Sequence, residues 1–457
     1  MSGSLHDVKN DIWMKTVVIG ISLLVIRGLA YAVMSVGIAS MKHHAWEDTI
    51  IPYESAHDHY VEASDAFATA DKAWEDAGQP DSGEVHDERE EALEHYNHAF
   101  EEYEHAEHVK IDAHLSYLTW KTAGITIGLL LTVYASFYLI AGFFNSLHPD
   151  DDHHDGYGDD HEEHHGSASP ILMASGILLF MIGFPGFVDT CKAALGLDYA
   201  TDFGGFTISV VGFMIGIVGI GNWWKEDLAG YPEQVALGQP FGGQDVRKAG
   251  MWIFLISEMM VFASFFSSYL RMRTEWCTQW AVDSGRCTGP ADVVTASDLL
   301  RHDIGTLLPG AINTFALIIS SYTIVLALKA SKNTEWTVSD NKLMAKLFPT
   351  RQKTVRNYLM MTLGLGSLFI VLKLIEWSHL VAEGFDINTQ AGSIFYVATG
   401  AHGLHVFIGL LVMLFMIFKA DTVGYDEKNG RGIEYFGLYW HFVDLAWVAI
   451  FPAFYLY

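Results

Sequence analysis

The 457-residue chain is poor in cysteine: only Cys191, Cys277 and Cys287 occur. None stands beside histidines at metal-ligand spacing, which argues against a thiolate copper site or an iron–sulfur cluster. Positive charge is also scarce, with 27 Lys and Arg against 54 Asp and Glu. The resulting net charge of −27 falls mainly outside the apolar blocks. It disfavours nucleic acid, and anionic lipid on the outer side, and suits a basic soluble partner or a salty habitat. No polar stretch is long enough to form an aqueous domain with its own active site. A cleavable leader is not expected either: the first apolar run is too long, no small-residue cleavage motif follows it, and no Arg/Ser-rich transit sequence precedes it. The internal repeat that many transporters show is missing.

What the sequence does have is apolar surface, 51% hydrophobic and 13% aromatic residues, in blocks of about 20 separated by charged segments. That pattern predicts an all-α polytopic membrane protein. Nine spans are expected, near 12–40, 117–147, 169–189, 205–223, 248–270, 306–328, 357–380, 393–418 and 435–456. Lys329, Lys332, Lys342, Lys346, Arg351, Lys353 and Arg356 in one connection, and Lys419, Lys428 and Arg431 in another, mark both as cytoplasmic. The N-terminus then lies inside, Tyr457 outside, and a prokaryotic plasma membrane is the simplest home. Four Arg in the 271–305 loop run against this scheme.

Residues 1–147 read as an N-terminal extension. Between its two spans, segment 41–116 holds 21 acidic and four basic side chains and falls outside. Tyr53, Ala56, Tyr60, Ala63, Phe67, Ala70, Trp74 and Ala77 alternate spacings of three and four. After GQPDSGE the pattern returns as Ala92, Tyr96, Ala99, Tyr103, Ala106, Lys110, Ala113 and Tyr117. Heptad seams on both arms predict an antiparallel helical hairpin over about 53–116, with aromatic knobs facing alanine holes. It would project roughly 35 Å. His57, His59, His86, His95, His98, His105 and His108 lie off the seam and read as a solvated face rather than a metal site. Residues 148–168, acidic and His-rich, read as a linker before a body at 169–457.

Ionisable groups inside spans cost several kcal/mol unless paired or hydrated, so each needs a reason. Glu258 sits mid-span. Lys373, Glu376 and His379 follow one another at i,i+3, so Lys373 and Glu376 either neutralise each other or form a site. His402 and His405 share one span, and His441 and Asp444 another. Arg27 has nothing near it in sequence to explain it. A bis-His haem needs histidines on facing helices, and His402, His405 and His441 allow one such pair at most, so cofactor ligation is not favoured. Cys277 and Cys287 share an outer loop that permits a disulfide.

FYVATGAHGLHVFIG, followed by YWHFVDLAWVAIF, resembles subunit III of the cytochrome c oxidases of the haem–copper superfamily. GNWWKEDL, QDVRKAGMWIFLISEMMVFASFF and LLPGAINTFALIISSYTIVLAL extend the likeness over about 170–457. The resemblance implies a seven-helix body, two helices and five around a lipid-filled cleft. It implies no haem or copper in this chain, those belonging to subunits I and II. The chain would bind phospholipid, brace subunit I near a proton-uptake mouth and sustain turnover. Glu258 matches the family's buried carboxylate. Trp223, Trp224, His405 and Lys419 match lipid-headgroup positions, with Lys419 where an arginine is usual, and Glu376, His402, His441 and Asp444 match other polar positions. Lys373 departs from the pattern. The first 167 residues have no counterpart, and their acidic hairpin would suit docking of cytochrome c or another respiratory complex. Two other readings stand beside this one: a transporter or proton channel using Glu258, Lys373 and Glu376, and a membrane di-haem cytochrome.

Overall fold

A backbone in hydrocarbon can satisfy its polar groups only within itself, so each apolar block is expected to close into a helix. The computed structural model describes residues 5–79, 81–146, 167–194, 201–229, 235–236, 239–273, 304–333, 337, 341–385, 387, 390–425 and 430–456. Among these residues there is no strand beyond one isolated bridge, Val235 with Asp245. The helices are α1 (Leu5–Tyr31), α2 (Ala39–Glu47), α3 (Ile50–Asp76), α4 (Glu84–Ser146), α5 (Ser169–Ala194), α6 (Phe203–Ala229), α7 (Val246–Arg273), α8 (Ile304–Lys332), the short α9 (Lys342–Leu347), α10 (Arg351–Ala382), α11 (Gln390–Thr422) and α12 (Arg431–Phe451). A π-helical stretch, Ala32–Ile38, joins α1 to α2, and another, Pro452–Leu456, follows α12. Nine segments among the described residues are long and apolar enough to cross a membrane, in the nine places expected. Cys277, Cys287 and most of the acidic linker lie outside the described residues.

The chain divides into two compact units, one of residues 1–14, 140–250 and 422–424, the other of 15–139, 251–421 and 425–457. In the first, α5 and α6 pack backbone to backbone. A Cβ at Gly176 would come within 2.5 Å of the Gly216 nitrogen, and one at Gly212 would strike the Phe180 backbone. Small residues at such positions let membrane helices approach where no hydrophobic force drives them together. Ser209, fully buried, donates to the Phe180 carbonyl at 3.3 Å.

In the second unit the core is aromatic. Trp440 and Trp447 of α12, Phe369 of α10 and Phe395 of α11 are fully buried. Trp440 fills space left by Gly366 and Gly409 and donates its indole N–H to Ser320 Oγ at 2.8 Å; Trp447 donates to Thr314 Oγ1 at 3.0 Å. The second span packs on α10 and α11: Tyr134 shares a 2.8 Å hydrogen bond with Ser367, and the Tyr138 ring meets Phe418. Forty-four percent of its apolar window is buried, against 6% for the first span. The extension is therefore fixed to the rest of this unit chiefly through its second span.

The predicted hairpin forms. Ala63 and Ala99 are buried, and the close approach they permit also stacks rings on one another, which the knob-and-hole pattern did not show. Tyr53 meets Tyr103, Tyr103 meets Tyr60 at 5.2 Å, Tyr60 meets Tyr96, and Tyr96 meets Phe67. At the tip Arg89 donates to Asp71 at 2.6 Å and lies 4.4 Å over the Trp74 ring. At the base Lys110 sits 3.5 Å over Tyr53, and His114 stacks on Trp46 at 4.6 Å. The returning arm and the second span are one unbroken helix of 63 residues, so the hairpin is a stiff continuation of a membrane helix.

Candidate functional site: a carboxylate–imidazole pair within the bundle

Helix α7 places Glu258 toward α11, and His405 meets it there: His405 Nε2 lies 3.1 Å from Glu258 Oε2. Both side chains are largely enclosed, 15% and 20% exposed for His405 and Glu258. His405 Nδ1 lies 2.7 Å from the Ala401 carbonyl one turn earlier. A carbonyl only accepts, so Nδ1 carries a proton and Nε2 is what meets the carboxyl group. A hydrogen bond between Nε2 and the carboxyl oxygen needs a proton on one of those two atoms. Tyr439 donates to the His405 carbonyl at 2.8 Å, and the Phe262 ring lies 5.4 Å from the imidazole. Neither tyrosine nor phenylalanine is marked by sequence spacing, since Tyr439 reaches across 34 residues.

A second cluster lies in the same unit. Lys373 donates to Glu376 Oε1 at 2.7 Å, with each side chain 3% exposed. Tyr455 donates to the same oxygen and also meets the Lys373 ammonium. Rings of Phe395, Trp447 and Tyr455 stand 4.9, 5.2 and 4.9 Å from that ammonium, a cation–π cage for a desolvated charge. Lys373 and Glu376, three residues apart in sequence, thus meet directly. Glu376 Oε2 has no hydrogen-bond partner among the described residues. The third member of that sequence series, His379, leaves the cluster and donates to Thr119 Oγ1 of α4 at 2.8 Å.

His402 donates from Nε2 to the Val443 carbonyl at 2.9 Å, between the Phe369 and Trp447 rings, both 5.1 Å away. Its Nδ1 is buried with no hydrogen-bond partner among the described residues. The i,i+3 spacing of His402 and His405 thus sends the two imidazoles to different neighbours, α12 and α7.

Residues 172–457 match the family described as cytochrome c oxidase subunit III, well over half of the chain. The chain belongs to that family. Membership makes it a membrane subunit of a haem–copper oxidase, associated with other oxidase subunits. It is similar to the "Heme-copper oxidase subunit I+III" of Aeropyrum pernix, 25% identical over 303 residues. That match takes in 64% of this chain and spans 31% of the relative's length. The "Cytochrome c oxidase subunit 3" of Alkalihalophilus pseudofirmus is 31% identical over 209 residues, covering 45% of this chain and 84% of the relative. The "Cytochrome bo(3) ubiquinol oxidase subunit 3" of Pseudomonas putida is 30% identical over 208 residues, covering 45% and 84%. Relatives named for either electron donor thus stand at similar distance.

The subunit III positions singled out from sequence fall in several places. Glu258 and His405 meet. Lys419 is buried near the end of α11 with its ammonium 6.0 Å from the Phe415 ring. Fourteen residues separate it from His405, about 21 Å of helix, so one headgroup does not reach both. Trp223 and Trp224 belong to the other unit, Trp223 exposed and Trp224 partly buried. His441 and Asp444 lie on α12, with Asp444 buried and its Oδ1 without a partner among the described residues.

One group was not anticipated. His43 and His44 both approach Glu47, at 3.4 and 3.1 Å, and the three donor atoms lie within 4.8 Å of one another. The signal was KHHAWE, with spacings i,i+3 and i,i+4. Two of the three side chains are exposed, and two imidazoles sharing one carboxylate account for the arrangement.

Proposed function

We propose that the chain is a non-redox subunit of an aerobic terminal oxidase, with haem and copper held by subunits I and II. In this reading it binds phospholipid, supports proton uptake and keeps subunit I stable during turnover. The observation that carries it is the Glu258–His405 pair, which occupies both nitrogens of His405, the more accessible of the two imidazoles of α11, with protein partners. His402 likewise gives Nε2 to a backbone carbonyl. Lipid binding divides by depth: Trp223, Trp224 and Lys419 belong near span ends, where a phosphate headgroup would sit, and Glu258 with His405 at the level of the acyl chains. The setting proposed is a prokaryotic plasma membrane, N-terminus inside.

The hairpin is read as a docking arm for a basic electron carrier or a neighbouring respiratory complex. Its support is charge and stiffness: Glu88, Glu91, Glu94 and Glu101 are exposed on a helix continuous with a span.

The test is purification of the tagged chain in mild detergent. Haem–copper core chains and oxygen consumption are expected to travel with it; isolation as a lone ion-conducting protein would instead favour the transporter reading. Converting those four Glu to Gln is expected to raise the KM for a basic cytochrome c severalfold at low salt and to flatten its salt dependence. An unchanged KM and salt slope would remove the docking role.

A further inference from the structure

Arg27 stands twelve residues after Lys15 and fifteen before Lys42 in an otherwise apolar run. About 18 and 22 Å of helix separate it from the charges at either end, beyond the reach of a side chain that snorkels along its own stem. The residue is exposed, with no hydrogen bond, ion pair or ring contact to any described residue. Its stem runs beside the second span, where a Cβ at Gly128 would lie 4.0 Å from Arg27 Cγ. Leu24 and Tyr31, one turn away on the same side of α1, are exposed too.

A guanidinium at this depth needs a counter-charge, because lipid tails offer neither hydrogen bonds nor screening. Among the described residues the chain has none to spare near the middle of a span, Asp189 standing one residue from the end of its own. Glu258 is committed to His405, Glu376 to Lys373 and Tyr455, and Asp444 is buried on α12. The described residues of a second copy would therefore bring no free acid at that depth either. Phosphate headgroups lie at the wrong depth.

We propose that the Arg27 face of the first span docks on a transmembrane helix of a different subunit, one that presents an Asp or Glu near the middle of the bilayer. A bidentate Arg–carboxylate pair in that setting fixes rotation and depth together. It accounts for a first span that is hardly covered by the described residues while the second is well packed. The inference does not depend on the oxidase reading, since any neighbouring subunit with such an acid satisfies it.

The test uses the intact complex carrying a photo-reactive amino acid at Leu24 or, separately, at Tyr31, both of which leave Arg27 in place. Adducts from both positions are expected on one span of another subunit, within a turn of an Asp or Glu. Arg27→Ala should reduce that adduct at least tenfold and Arg27→Lys less. Exchanging the charges, Arg27→Glu with the partner acid changed to Arg, should restore it. Adducts to lipid alone, to this chain, to a second copy, or to a span without an acid would overturn the proposal. Should Arg27→Ala fail to accumulate, the two adduct maps with Arg27 intact decide it.

Discussion

His405 of α11 and Glu258 of α7 meet directly inside the bundle. The imidazole Nδ1–H is committed to the Ala401 carbonyl, and Nε2 lies 3.1 Å from the Glu258 carboxyl oxygen. Glu258→Gln can still donate an amide N–H to a neutral Nε2, whereas Glu258→Ala cannot. Alanine at either position is expected to lower the thermal stability of the complex by about 1–3 kcal/mol, and glutamine at 258 by less than about 1 kcal/mol. The double alanine variant should lose about 1 kcal/mol less than the two singles together. Glutamine as damaging as alanine would show instead that the group at 258 does not donate to Nε2.

The Lys373–Glu376–Tyr455 cluster is expected to behave as a closed ion pair. Lys373→Met alone leaves a buried carboxylate and should destabilise by about 3–5 kcal/mol. Replacing both, Lys373→Met with Glu376→Leu, should recover most of that loss. Thermal unfolding of the purified complex reads both. A double variant no better than the single would mean that Glu376 has a role beyond neutralising Lys373.

The hairpin has its own pH window. Tyr103 is pushed up to about 12, first by its hydrogen bond with Tyr53 and then by burial. Its neutral form is thus favoured in the folded hairpin, so this contribution is complete below pH 10 and is lost as pH rises through about 12. His114 is lowered, first by burial and then by the nearby Lys110 charge. Its contribution is present above pH 6.5 and is lost as the pH falls and the ring becomes protonated against Trp46. Phenolate absorbance and tryptophan emission follow the two. Tyr103→Phe should remove the alkaline transition and His114→Phe the acidic one; transitions that persist in these variants would contradict the assignment.

How much of this was legible follows from the kind of signal involved. The nine spans and the hairpin arms were readable because bilayer thickness and a heptad seam impose period and length. Lys373 and Glu376 were visible as a couple because both stand on one helix face. The couple Glu258–His405 was not, since its members are 147 residues apart and only helix packing brings them together. Tyr455, which completes the buried cluster from 79 residues beyond Glu376, carries no spacing signal at all. His405 and Lys419, both matched to headgroup positions by resemblance, stand fourteen residues apart on α11. His405 lies near the middle of α11, and resemblance marks a position without saying how far along the helix its neighbours stand.

The central claim is that the imidazoles of the span are held by protein groups and bind no metal. Pyridine-haem and copper assays on the complex carrying His402→Ala and His405→Ala together test it most directly. Haem and copper per complex should equal those of the unaltered complex, while activity decays faster during turnover. Loss of a haem equivalent or of a copper would contradict the account.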